Sequence, residues 1–146
     1  MLPNNFYDIY DWPLKRINPY RGWEIYPEGI YDIAMLMKNK YNNFPWVISE
    51  NSIGVENEIK FRKNNMIQDD YRIDFISEHL FFLKKAIDEG SNCEGYSLWT
   101  YVDCWSWANA FKNRYGIVEY DLKTKESRIK KSGLYYKRLI DIKNKS

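Results

Sequence analysis

The sequence predicts an α/β fold in which helices cover a layer of short parallel strands. Segments with helical periodicity alternate with short apolar, extended runs along the 146 residues. Two of these runs end on a carboxylate, Glu50 in the first and Asp103 in the second. Such alternation is typical of parallel α/β layers, whose functional groups collect at the carboxyl ends of the strands. The length suits a single domain.

The first elements follow an irregular start. Residues 1–29 are rich in Pro, Asn and aromatic residues without periodicity, which predicts an irregular entry segment. From Ile30, apolar residues recur at intervals of three and four, which predicts a helix that the "NNFP" segment at 42–45 ends. The apolar run "WVIS" at 46–49 predicts a short strand, and the polar residues 52–68 predict a loop.

The strongest helical pattern covers residues 69–90. It begins with two aspartates, ends at Gly90 and carries an apolar stripe through Ile76, Leu80, Leu83 and Ile87. The single histidine, His79, lies beside this stripe, and we expect it to pack within the helix rather than to act in catalysis. Extended segments are predicted at 95–102 and 115–121, followed by a last helix from about residue 132 to 142.

Charge and cysteine content exclude several classes of protein. The net charge is +2 with both signs intermixed, so no basic surface for a nucleic acid is expected. The basic tract "KTKESRIKK" at 123–131 is interrupted by Glu126 and predicts a solvated turn. The sequence contains neither an apolar run of about 18 residues nor a leader-like start, so a membrane protein is not expected. Cys93 and Cys104 show neither metal nor disulfide spacing, so we expect a cytoplasmic protein.

Aromatic residues are unusually frequent. They make up 18% of the chain, with six Trp and 13 Tyr. Flat rings with polar edges can build a core, but they also suit the faces of sugars or bases. The composition is therefore a weak indication of a carbohydrate or nucleic-acid ligand, and the charge pattern favours the former.

Four linked segments resemble the last third of glycoside hydrolase family 1, the retaining β-glycosidases. They are "RGWEIYPEGIYD", "WVISEN", "GYSLWTYVDCWSWANAFKNRYGIVEYD" and "RIKKSGLYYKRLI", in the family's order and spacing over roughly residues 20–140. The resemblance implies the C-terminal part of a (β/α)8 TIM barrel, about strands 7 and 8 with their flanking helices. Because a complete barrel takes about 250 residues, residues 1–146 would form one partial domain, an incomplete barrel.

The resemblance implies that Glu50 is the catalytic nucleophile. In the family, the "SEN" motif at the end of the seventh strand holds that carboxylate. A retaining glycosidase also needs a second carboxylate about 5 Å away as acid and base. The alternative for Glu50 is a salt-bridged strand end. The mechanism uses only carboxylates and water, so no metal or organic cofactor is expected.

The second strand would supply the sugar site. In the family, the tryptophan matched by Trp99 stacks under the sugar ring, and that matched by Trp107 lies near the C4 and C6 side. Asp103 matches an acidic residue of the same cluster. The alternative is that both indoles belong to the core. Trp23 and Glu24 match the family's entry loop, for which a structural role is expected.

One departure from ordinary β-glucosidases favours a phosphorylated substrate. They carry Glu where this chain has Ser106, and a hydroxyl can donate to a phosphate that a carboxylate would repel. The phospho-β-glycosidase branch pairs this Ser with a Lys seven residues later and a Tyr nine residues later. Tyr115 matches the second position, but the first is Asn113. Either Lys112 replaces the missing cation, or Asn113 and Arg114 share the task, or "KNR" is a solvated loop.

The rest of the catalytic machinery is not recognisable. The family's "NEP" motif, which carries the acid/base on the fourth strand, does not occur in the sequence. We therefore expect either a segment of a 6-phospho-β-glycosidase that is active only with the missing N-terminal barrel half, or a non-catalytic remnant that binds sugar. The substrate would be a β-glycoside or a 6-phospho-β-glycoside, and the sequence does not distinguish glucose from galactose.

Overall fold

A computed structural model of the protein describes residues 12–143. The first eleven residues of the predicted entry segment lie outside the described residues. The elements in chain order are α1 (Glu28–Lys40), β1 (Trp46–Ile48), β2 (Val55–Glu56), a 3-10 helix (Glu58–Phe61), β3 (Arg62–Lys63), β4 (Met66–Ile67), α2 (Asp70–Asp88), β5 (Cys93–Tyr96), β6 (Asn113–Arg114), β7 (Val118–Tyr120), β8 (Ser127–Ile129) and α3 (Lys131–Lys143).

The three predicted helices are present. Helix α1 begins two residues earlier than predicted, since Glu28 already belongs to its first turn, where a carboxylate complements the helix dipole. It ends before Asn42 and Asn43, which both have positive φ, so the left-handed backbone there stops the helix. Helix α2 packs against α1 on one side and against α3 on the other.

His79 is a packed helix residue, as predicted. Its ring stacks on the ring of Phe75, with the two centroids 3.9 Å apart, and its Nδ1 lies 2.6 Å from the Phe75 carbonyl oxygen. Burial lowers the pKa of His79 below its usual value. The side chain therefore packs on the buried face of α2 as a neutral imidazole at neutral pH.

A parallel strand pair organises the fold. β1 pairs with β5 in parallel, with Val47 opposite Gly95 and Ile48 opposite Tyr96. The expected parallel arrangement is thus confirmed for these two strands, although β5 begins and ends earlier than the predicted segment at 95–102. The other described strands form antiparallel pairs, β2 with β6, β3 with β4 and β7 with β8.

The basic tract at 123–131 differs from the prediction. Instead of a solvated turn throughout, residues 127–129 form β8, which pairs with β7. The following Lys130 is fully buried and donates to Asp103, at 2.8 Å, and to Glu58. A lysine is almost never buried without such partners. Because both partners are distant in sequence, the pattern of charges along the chain could not show that Lys130 is buried.

A buried ion cluster holds the loops to the helices. It consists of Glu58, Asp69, Arg72, Asp103 and Lys130, each at most 4% exposed. Arg72 pairs with Glu58 and, through Nε at 3.0 Å, with Asp69, while Lys130 joins Glu58 to Asp103. The cluster thereby connects the 3-10 helix, α2, the loop after β5 and the start of α3.

Asp103 therefore has a different setting from that expected. Besides Lys130, its Oδ1 accepts a hydrogen bond from the backbone N–H of Gly116 at 3.0 Å. The carboxylate supports the loop after β5 from inside the fold and does not share a cavity with Trp99 and Trp107. Within residues 12–143, no helix has the length and apolar character needed to cross a membrane.

Candidate active site

A cavity of about 660 Å³ lies at the carboxyl ends of β1 and β5. Its wall contains Glu50 together with the indoles of Trp23, Trp99, Trp105 and Trp107. Ligands of parallel α/β folds bind at this end of the strands, because the loops that leave the strands converge there. The cavity is accordingly the candidate active site.

Glu50 follows β1 by two residues and is exposed. The neighbouring Asn51 ties this loop to the second strand, because its carbonyl oxygen accepts from the Trp99 N–H at 3.1 Å and its Oδ1 accepts from the Tyr96 hydroxyl at 2.7 Å. These bonds join the loop after β1 to the loop after β5. The structure thus brings Glu50 and Trp99 to one cavity, and Glu50 does not take part in an ion pair among the described residues.

The indoles present large apolar surfaces to solvent. Trp99 is 40% exposed and Trp107 is 94% exposed, so neither belongs to the core. The Trp105 ring meets the Trp107 ring edge to face, with centroids 5.5 Å apart. Exposed aromatic clusters of this kind mark ligand sites, since their ring faces remain available for stacking. Sequence reasoning missed Trp105, although it stands next to Ser106.

Ser106 and Tyr115 also line the cavity. The Tyr115 ring is 6% exposed and packs against the backbone of Gly54. Burial raises the pKa of the Tyr115 hydroxyl, and the positive charge of the Arg21 guanidinium acts in the opposite direction. Tyr115 is therefore a protonated hydroxyl at neutral pH and can donate to a ligand.

Lys112 and Asn113 do not line this cavity. The Lys112 side chain is 66% exposed, its Nζ lies 3.2 Å from Oε1 of Glu56, and it borders a different cavity. Asn113 is fully buried in β6, with its Oδ1 2.7 Å from the Asn109 amide nitrogen. Lys112 is therefore exposed to solvent, as expected if "KNR" were a solvated loop, whereas Asn113 is not.

Arg21 is a cavity residue that sequence reasoning did not identify. It belongs to a turn in which the backbone N–H groups of Arg21 and Gly22 donate to the Asn18 carbonyl, and Gly22 has the positive φ that this turn requires. The guanidinium carbon lies 4.3 Å from the centroid of the Trp23 ring. The sequence signal that could have identified it is its position at the start of the segment "RGWEIYPEGIYD", two residues before Trp23.

The charges of the cavity are simple. Among the described residues that line it, Glu50 is the only carboxylate and Arg21 the only cation. Within residues 12–143, no three or more His, Cys, Asp or Glu side chains are grouped so that they could hold a metal ion. The arrangement can supply one carboxylate, several stacking faces, the three hydroxyls of Ser52, Ser106 and Tyr115, and one guanidinium.

Comparisons with known proteins agree with this geometry. Residues 9–145 match the model of glycosyl hydrolase family 1. The chain is 51% identical over 142 residues to the 6-phospho-beta-glucosidase GmuD of Bacillus subtilis, with 96% of this chain covered and 30% of that protein. It is 40% identical over 120 residues to a 6-phospho-beta-galactosidase of Streptococcus mutans, with coverage of 82% and 25%.

A solved structure contains the same fold as one part of a longer chain. The family 1 β-glucosidase of Thermotoga maritima superposes with a TM-score of 0.82 at 32% identity, over 90% of this chain and 29% of that one. The chain thus spans about 30% of the length of the curated relative from Bacillus subtilis. With an exposed carboxylate and indoles at the ends of a parallel strand pair, and a family match from residue 9 to residue 145, this chain belongs to glycosyl hydrolase family 1.

Proposed function

We propose that the chain is the nucleophile-bearing segment of a retaining β-glycosidase whose substrates are 6-phospho-β-glucosides. The observation that carries this proposal is the shared cavity of Glu50, Trp99 and Trp107 at the carboxyl ends of β1 and β5. Family membership supports the reaction class, and the names of the relatives from Bacillus and Streptococcus support a phosphorylated substrate. The chain would form one partial domain of the barrel.

Glu50 would act as the nucleophile. Its carboxylate oxygen attacks the anomeric carbon, the glycosidic C–O bond breaks, and a covalent glycosyl-enzyme forms that water then hydrolyses. A second carboxylate about 5 Å away must protonate the leaving oxygen and later activate the water. Because Glu50 is the only carboxylate among the described lining residues, the rest of the barrel would supply that group. We expect the isolated chain to be inactive.

The indoles and hydroxyls would bind the sugar. Trp99 offers a ring face for stacking, and Trp107 extends the aromatic wall beside Ser106. The hydroxyls of Ser106 and Tyr115 can donate to phosphate oxygens, whereas a carboxylate at position 106 would repel them. Cys93 and Cys104 are free thiols, which is compatible with the cytoplasm as the proposed location.

The test is a chimera in which this chain replaces the corresponding segment of the Bacillus subtilis relative. We expect it to hydrolyse p-nitrophenyl 6-phospho-β-glucoside. Glu50→Gln should lower kcat by about 10³-fold or more, since the nucleophile is lost. Glu89→Gln is the matched control, because Glu89 follows α2 on the amino-terminal side of β5 and bonds to Tyr31. Unchanged kcat in Glu50→Gln would refute the assignment.

A second candidate function is sugar binding without catalysis. The single lining carboxylate and the strongly exposed Trp107 favour it for the chain alone. Tryptophan fluorescence of the isolated chain, titrated with glucose 6-phosphate, would detect such binding. A chimera that binds this ligand but does not hydrolyse the chromogenic substrate would favour the second function, whereas turnover by the isolated chain would contradict the need for a second carboxylate.

A further inference from the structure

The phosphate subsite lacks its expected cation. Asn113 stands where the resemblance predicts a lysine, and its side chain is fully buried in β6. The neighbouring Lys112 directs its Nζ to Glu56, 3.2 Å away, and borders a different cavity. A phosphate monoester carries close to two negative charges at neutral pH, and the cavity already contains the Glu50 carboxylate. Hydroxyls alone would leave this charge uncompensated.

Arg21 brings a positive charge to the same cavity. It lines the wall together with Ser106 and Tyr115, and it is the only cation that does so among the described residues. Its guanidinium shares the cavity wall with Tyr115 and lies over the Trp23 ring, 4.3 Å from the centroid. The cation and both hydroxyl groups of the subsite are thus present in one place.

One hydrogen-bond donor of Arg21 has no acceptor among the described residues. Its Nε is buried and has no hydrogen-bond partner in the described structure. A buried N–H without an acceptor is costly, so such a group is usually satisfied by a ligand or by water. The guanidinium is a planar fork that matches the oxygens of a phosphate, and its stacking on Trp23 limits the freedom that it would lose on binding.

Asn109 is a further partner of the guanidinium. With its amide oxygen turned toward the guanidinium, Asn109 accepts a hydrogen bond from Nη1 of Arg21. This contact and the stacking on Trp23 hold the guanidinium at the cavity wall, while its Nε stays without an acceptor among the described residues.

We propose that Arg21 is the cation that binds the 6-phosphate and that it determines the preference for phosphorylated substrates. The proposal rests on the function proposed above and deepens it, because it names the residue that provides the charge. Arg21 comes from the turn before α1 rather than from the loop after β5, where the resemblance placed the phosphate contacts. Ser106 and Tyr115 complete the subsite as hydroxyl donors.

The experiment compares two substrates in the same chimera. For p-nitrophenyl 6-phospho-β-glucoside, Arg21→Gln should lower kcat/KM by about 10- to 100-fold, the loss expected when a charge-assisted pair is removed. For the unphosphorylated p-nitrophenyl β-glucoside, kcat/KM should change less than about threefold. Arg21→Lys should recover part of the loss, since it retains the charge but not the fork.

Two further variants make the comparison specific. Arg16→Gln is the matched control, because Arg16 pairs with Glu78 at the surface and does not line this cavity; it should leave both substrates unaffected. Lys112→Gln tests the rival assignment and should also have little effect. The proposal is overturned if Lys112→Gln, and not Arg21→Gln, selectively weakens the phosphorylated substrate, or if Arg21→Gln weakens both substrates equally.

Binding of glucose 6-phosphate separates this proposal from the proposed function. If the chimera hydrolyses neither substrate, the proposed function fails, and tryptophan fluorescence then decides about Arg21. Affinity for glucose 6-phosphate should fall by about 10- to 100-fold in Arg21→Gln and not in Arg16→Gln. Equal affinity in both variants, or no binding of glucose 6-phosphate by the unmodified chimera, would overturn the role of Arg21. Circular dichroism of each variant verifies folding.

Discussion

Gly54 contributes to the shape of the candidate site because it has no side chain. A Cβ on Gly54 would lie 2.5 Å from Cε1 and Cζ of the Tyr115 ring, well inside van der Waals contact. The Gly54 carbonyl also accepts from Nδ2 of Asn18 at 2.9 Å, in the turn that carries Arg21. Gly54 therefore sets the position of two groups in the proposed phosphate subsite.

Gly54→Ala should accordingly destabilise the fold and disturb the cavity. Overpacking of a well-packed site costs about 1–3 kcal/mol, and we expect that loss in the free energy of unfolding measured with urea. Gly95→Ala is the control, since a Cβ there would lie 3.4 Å from Cγ1 of Val47, an ordinary contact distance. Equal stability of the two variants would contradict the close packing of Tyr115 on Gly54.

Among the secondary-structure elements, the buried ion cluster determines how loops and helices are arranged. Lys130, at the start of α3, bridges Glu58 of the 3-10 helix and Asp103 of the loop after β5. Arg72 of α2 holds the same Glu58 from the other side. The loop that carries the aromatic wall of the cavity is thereby tied to two helices, so the cluster supports the site without lining the cavity.

Lys130→Met should destabilise the protein strongly. Removing one partner of a buried ion pair costs about 3–5 kcal/mol. Asp103 would lose its closest cation, and Glu58 would keep only Arg72. Lys131→Met is the control, since Lys131 pairs with Asp70 at the surface and such pairs contribute about 0–1 kcal/mol. Urea denaturation of both variants measures the difference. Similar losses in the two variants would show that Lys130 is not held as the structure indicates.

For the whole molecule, the central feature is that β1 and β5 pair only with each other among the described residues. In the family's barrel each strand would have a neighbour on both sides. The Trp46 amide donates toward β5, to the Asn92 carbonyl at 3.2 Å. Because successive amides of a strand point to opposite edges, we expect the Val47 amide to face the other edge. An unpaired edge exposes backbone groups to water or to another chain.

Hydrogen exchange can test whether the missing part of the barrel covers this edge. In the isolated chain, we expect the Val47 amide to exchange much faster than the Trp46 amide, which is already bonded. In the chimera described above, the Val47 amide should slow by about tenfold or more, because a neighbouring strand supplies an acceptor. Equal exchange of Val47 in the two proteins would refute the barrel arrangement.

Local sequence determined the helices, the first strand and the carboxylate that follows it. Apolar periodicity identified α2 and placed His79 beside its apolar face. Such a face is visible in the sequence because its residues recur at intervals of three and four. The alternation of helices and strands indicated that Glu50 and Trp99 would meet, and linked motifs indicated the family. These features follow from short-range propensity and from the rule that parallel strands share one functional edge.

Tertiary packing alone decided which charges enter the cavity and which are buried. Arg21 and Tyr115 are far apart in sequence yet share one wall, whereas Lys112, three residues before Tyr115, points elsewhere. The sequence predicts a sugar site for Asp103 and a solvated turn for Lys130, but the two side chains pair inside the fold. The reason is physical: the setting of a charge depends on the partner that compensates it, and a partner brought by a distant segment leaves no local pattern.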